Sequence, residues 1–194
     1  MNKLDLEKYK FLTLDKREVC DFELIANQGF NPLSGFMNKK DYESCVSDMR
    51  LSNGKLWAMP ITLSINQKQY DELKHSDYVL LKHETGLPLG LMNIKYEENI
   101  YRYDLKKECE KVYGAYDTNH PYVKILQKNY DDGRIYYIGG ELEKVQLPPH
   151  YDFVNYRMTP KETKDYFKEN GWSKIVGFQT RNPMHRSHFE LTKY

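Results

Sequence analysis

Residues 174–191, KIVGFQTRNPMHRSHFEL, decide the class of the C-terminal part of this chain. A short apolar run at 174–178 reads as a strand. A polar loop at 179–183 follows it, and residues 184–194 then read as a helix. Strand, polar loop and helix start form the opening unit of a nucleotide-binding α/β domain, and a parallel sheet needs more strands than one. The segment is therefore expected to begin a domain that this sequence leaves incomplete. Just upstream, Thr159 is expected to cap a helix whose first residue is Pro160, where the missing proline N–H costs nothing. That helix runs to about Asn170, and Gly171 stops it.

Further out, residues 146–150 read QLPPH. Two consecutive prolines fit neither a helix interior nor a central strand, so the boundary is placed there, dividing the chain into 1–150 and 151–194. Before the boundary the texture is strand-led. Short β-rich runs at 60–65, 78–82 and 87–96 are separated by polar or Gly/Pro turns, and 134–138 reads as another strand before Gly139-Gly140. Helices are expected at 104–113 and 121–129. Nearer the start, Val19, Phe22, Ile25 and Ala26 follow a 3,4 spacing, which predicts an amphipathic helix at 16–27 with Asp15 as its N-cap and Gly29 as its end. Residues 29–37 form a turn-rich stretch in which Gly29, Pro32 and Gly35 fix the turn. A second helix at 39–49 is capped by Asn38. The whole reads as a small β-barrel-like domain decorated with helices.

Bulk properties narrow the function. The chain has 194 residues, 40% of them hydrophobic and 29% charged, which suits a globular protein that needs no disulfide staples. Formal net charge is +1, so nothing calls for nucleic acid or anionic lipid. Cys20, Cys45 and Cys109 are widely spaced and odd in number, which argues against a disulfide framework or zinc ribbon and suits a reduced, cytoplasmic setting. The first ten residues lack the apolar core of a signal peptide, and no apolar run approaches the ~20 residues of a membrane span.

The chemistry concentrates in the quoted segment. The carboxyl end of a strand beside a helix N-terminus favours phosphate. Arg181 adds a planar cationic fork that matches a tetrahedral oxyanion, and Gln179, Thr180 and Asn182 add neutral donors. His185 and His188 are three residues apart and share a face if both are helical. Each imidazole is able to donate to phosphate oxygens and so stabilise charge building at an α-phosphate. Zinc is the competing use of such a pair, but no cysteine or carboxylate completes a tetrahedral set.

Taken as a string, QTRNP followed by HRSH resembles the motif of the ATP sulfurylases (sulfate adenylyltransferases). DFELIANQGFNPLSGFM at 21–37, LWAMPITL at 56–63 and GGELEKVQLPPH at 139–150 match the same family in order and spacing. The resemblance implies a PUA-like, β-barrel-containing N-terminal domain followed by the start of a Rossmann-like nucleotidylyltransferase domain, α+β leading to α/β. It implies adenylyl transfer from ATP to sulfate, giving adenosine 5′-phosphosulfate (APS) and pyrophosphate. Thr180, Arg181 and Asn182 match the catalytic positions, Gln179 and Arg181 the sulfate contacts, and Gln179, Thr180, Arg181, Asn182, His185 and His188 the ATP contacts. Mg²⁺ arrives with ATP, with no tightly bound cofactor. The family is commonly oligomeric and occurs fused to adenylylsulfate kinase, which implies a homo-oligomer and coupling to that kinase. Its second, Gly-Arg-Asp-rich nucleotide segment has no counterpart here, since Asp132-Gly133-Arg134 lies in the other domain, so this chain alone is expected to be inactive. PUA-like folds also serve RNA, but no basic, aromatic-interleaved stripe supports that use. An HxxH adenylyltransferase acting on a vitamin precursor leaves the large N-terminal domain and the QTRNP string unexplained.

Overall fold

The computed structural model describes residues 6–143 and 145–193, which fall into two compact units, one ending at Arg157 and one starting at Met158. Tyr194, at the end of the helix expected from 184, lies outside the described residues.

In the first unit, helix α1 (Lys16–Ala26) starts with a complete capping box. The Glu18 N–H donates to Asp15 Oδ1 at 2.8 Å, and the Asp15 N–H donates to Glu18 Oε2 at 2.8 Å. Its apolar spacing carries Val19, Phe22 and Ile25 into the core. The left-handed residue that turns the chain after it is Gln28 (φ 69°), one position before the expected Gly29. Asn27 Oδ1 accepts the Gly29 N–H at 2.9 Å, which holds this turn without needing glycine at its centre. Helix α2 (Lys39–Asp48) is capped by Asn38 and turns off at Met49 in the left-handed region (φ 53°).

A five-stranded sheet runs in the order β1 (Phe11–Thr13), β4 (Tyr78–Lys82), β5 (Pro88–Asn93), β8 (Gly140–Glu143), β2 (Gly35–Phe36). The β1–β4 pair is parallel and the remaining neighbours are antiparallel. A three-stranded antiparallel sheet runs β3 (Leu63–Ile65), β7 (Tyr136–Ile138), β6 (Ile100–Arg102). Helices α3 (Gln67–Leu73), α4 (Leu105–Val112) and α5 (Pro121–Asp131) complete the unit. One contiguous core joins them, with Phe22, Leu81, Leu89, Met92, Tyr137 and Ile138 each at most 1% exposed. Gly35, expected only to fix a turn, instead lies in β2 against β8. A Cβ added to Gly35 would fall 1.7 Å from the Gly140 carbonyl oxygen, and one on Gly139 2.0 Å from that of Met37. Two segments, 35–37 and 139–140, touch backbone to backbone here, and only glycine permits it.

The second unit starts with α6 (Pro160–Glu169), capped by a Thr159–Glu162 box. It ends in a Schellman motif. The Trp172 N–H donates to the Phe167 carbonyl at 2.9 Å and the Gly171 N–H to that of Lys168 at 3.1 Å, with Gly171 left-handed at φ 67°. Trp172 packs beside Tyr166 and Phe167. Two expectations fail in this unit. Residues 174–178 do not form a strand, because a strand exists through its ladder and no neighbouring strand occurs among the described residues here. The last helix, α7 (Arg186–Leu191), starts two residues later than expected. His185 is extended (φ −110°, ψ 175°) and serves as N-cap instead of as a helical residue, so the first turn starts at Arg186.

Candidate functional site

The sequence-derived site residues all lie on the segment between Phe178 and His188. These two side chains meet edge to face, with ring centroids 6.0 Å apart. Their contact pins both ends of the loop that carries Gln179, Thr180, Arg181 and Asn182. Within the loop, Thr180 is bonded twice to Asn182. Its hydroxyl donates to the Asn182 carbonyl at 3.0 Å and accepts the Asn182 N–H at 3.2 Å. That hydroxyl turn places Arg181 at the bend, where its side chain is exposed. Gln179 is exposed on the approach to the turn.

His185 and His188 are brought together, but by capping geometry and not by a shared helical face. As N-cap and third helical residue their rings lie 3.9 Å apart between centroids. The His185 N–H points to His188 Nδ1 at 3.5 Å, a long contact, and Ser187 Oγ lies 2.8 Å from His185 Nδ1. The backbone N–H makes Nδ1 of His188 an acceptor, and the Ser187 hydroxyl is able to donate to Nδ1 of His185 in the same way, an arrangement that leaves both Nε2 atoms to act as donors. The loop thus presents one guanidinium, two imidazoles and side-chain amides, which form a donor-rich surface for an oxyanion or a phosphate chain. Sequence reasoning passed over Phe178 and Ser187 as partners of the histidines. The spacing Phe178–His188 carries no local signal, whereas a hydroxyl two residues after a histidine is a recognisable bonding pattern. Among the described residues no group of three or more His, Cys, Asp or Glu side chains is placed to hold a metal ion, and no helix is long and apolar enough to cross a membrane.

The first unit holds a strongly perturbed carboxyl of its own. Glu108, on α4, is 2% exposed, and its Oε2 accepts the hydroxyls of Tyr42 at 2.8 Å and Tyr137 at 3.0 Å. Burial pushes its carboxyl up to about 7, with the two donated hydrogen bonds pulling the other way. Tyr101 and Tyr103 close the cluster as stacked or tilted rings around Tyr137 and Tyr42. Glu108 is the satisfied polar centre of a tyrosine-rich core.

A PUA-like domain family model matches residues 2–147, and an ATP-sulfurylase family model matches residues 154–194. A sulfate adenylyltransferase of Debaryomyces hansenii is 44% identical over 197 aligned residues, covering 96% of this chain and 36% of that protein. Proteins of the same name are 44% identical in Gibberella zeae, over 97% of this chain and 32% of theirs, and 46% identical in Candida albicans, over 93% and 35%. A solved structure titled hexameric APS kinase from Thiobacillus denitrificans superposes with a TM-score of 0.73 at 25% identity, over 98% of this chain and 32% of that one. The chain spans about a third of the length of the curated relatives it matches.

Proposed function

Because the chain belongs to the PUA-like domain family over residues 2–147 and continues into a match to the ATP-sulfurylase family at 154–194, we propose that it is the N-terminal part of a sulfate adenylyltransferase. The parent joins sulfate to the α-phosphate of ATP, releasing pyrophosphate and forming adenosine 5′-phosphosulfate. One observation carries the site assignment: the QTRNP loop and the two imidazoles present their donors from a single segment whose ends are pinned by the Phe178–His188 contact.

In this reading a sulfate oxygen attacks the α-phosphorus in line as pyrophosphate leaves, so positioning and charge stabilisation do the catalysis. Gln179 and Arg181 hold sulfate, the guanidinium by a forked contact to two of its oxygens. Thr180 and Asn182 shape the turn that aims Arg181, and with Gln179 their polar groups line the ATP phosphates. His185 and His188 donate from Nε2 to the α- and β-phosphate oxygens, where charge builds. Mg²⁺ enters as part of the substrate MgATP, held by the phosphate oxygens. The finer assignments belong to the same proposal: a barrel-like domain over 1–150, a Rossmann-like catalytic domain starting at 151, a cytoplasmic homo-oligomer, and a product handed to an adenylylsulfate kinase.

The test is made in the full-length enzyme. Arg181→Ala is expected to abolish sulfate-dependent exchange between pyrophosphate and ATP while the protein keeps its melting temperature. Exchange at the wild-type rate in that variant defeats the assignment.

A further inference from the structure

Ser64, in the middle of β3, is 8% exposed, and its Oγ has no hydrogen-bond partner among the described residues. A buried hydroxyl stripped of water and given no partner is costly, and native proteins seldom leave one so. Backbone pairing does not relieve it, since β3 spends its backbone groups on the ladder to β7, where Ser64 sits opposite Tyr137.

Ser64 also lines a cavity of about 10 Å³ shared with Thr62, Tyr103, Asn129 and Tyr137. That volume is close to the space one water molecule's centre occupies. The lining decides between a dry void and a wet one. Dry cavities in proteins are apolar, whereas this one is bounded by two aliphatic hydroxyls, three phenols (Tyr122 is the third), an amide and the Arg17 guanidinium, with Ile125 and Leu126 as its apolar wall. The nearby polar groups are already committed in part. The Tyr103 hydroxyl donates to the Arg134 carbonyl at 2.9 Å and the Tyr137 hydroxyl to Glu108 at 3.0 Å, so neither is free to donate to Ser64. Each phenol oxygen keeps a lone pair that is able to accept.

We propose that this cavity is a binding site for one ordered water molecule, held by Ser64 Oγ and shared with the hydroxyl and amide groups around it. The water completes the hydrogen bonding of β3 and couples the three-stranded sheet to α5, which contributes Asn129. It is a component of the fold and takes no part in nucleotide chemistry, so it stands or falls independently of the function proposed for the second unit.

Two measurements on the full chain test it. A high-resolution crystal structure is expected to show density within hydrogen-bonding distance of Ser64 Oγ and of at least one other polar group of the cavity. Ser64→Ala is expected to lower the urea midpoint, because the water loses its main partner. An orphan hydroxyl predicts the opposite, since its removal relieves a penalty. Absence of that density, or an unchanged or raised midpoint for Ser64→Ala, overturns the inference.

Discussion

Replacing Glu108 with glutamine is expected to make the protein more stable at mildly alkaline pH and no more stable in acid. The buried carboxyl titrates near about 7, against an ordinary value of 4.5. Between those values the folded protein holds a proton that the unfolded chain gives up. The folded state therefore gains from Glu108 below the lower value, loses that gain as pH rises through the window, and reaches a floor above the upper one. Each pH unit across the window is worth about 1.4 kcal/mol, so the full span amounts to about 3 kcal/mol. Glutamine keeps the shape and the carbonyl oxygen that Tyr42 and Tyr137 donate to, but it has no charge to desolvate. Urea unfolding at about pH 5 and about pH 8, with the m-value held common, gives the comparison directly. The parent should lose stability between the two conditions, and Glu108→Gln should lose about 2.5 kcal/mol less, since pH 5 already lies inside the window. Equal pH slopes in parent and variant, or a variant weaker than the parent at the higher pH, would refute the account of the tyrosine-rich core.

Two further outcomes follow from the first unit. Gly35→Ala drives a methyl group to 1.7 Å from the Gly140 carbonyl, so the β2–β8 pair must separate; a loss on the order of 3 kcal/mol is expected, and a melting temperature equal to the parent's contradicts it. Burial pushes the thiols of Cys45 and Cys109 up to about 11, whereas Cys20 is exposed; a thiol-specific disulfide reagent at neutral pH should label Cys20 in the native protein and the other two only on unfolding, and fast native labelling at either buried position refutes the packing.

Helices were legible from the sequence wherever their ends carry local chemistry. Asp15, Asn38 and Thr159 cap the helices that their spacing predicts, because a cap is a contact between neighbours a few residues apart. The short strands β1, β2 and β8 left no comparable trace. Gly35 pairs with Glu141 across more than a hundred residues, and no window along the chain contains both partners. The site residues were recognisable by type and order, yet their arrangement was misread. The histidines were expected to sit side by side on a helix face, whereas the structure reaches the same neighbourhood by starting the helix after His185, so that the N-cap ring packs on that of His188 in the first turn. Periodicity reports faces of an element already assumed to be regular, and it is silent about where regularity starts. Residues 174–178 failed for a related reason, since apolar composition marks a segment that is able to pair but does not provide the partner.

The glycine contact between β2 and β8 also sets a schedule. A nascent chain leaves the ribosome from its N-terminus, and the ladder partner of Gly35 is Glu141, so helices α1 and α2 are made long before the strand that locks them in place. Pairing across such separations is slow to nucleate because the connecting chain must first be drawn together. Until Gly140 emerges, the edges of β2 and β5 that pair with β8 have no ladder partner, and unpaired edges are open to wrong pairing during that interval. Synonymous codon changes that slow translation just before residue 140 should lengthen this exposure without altering the finished protein.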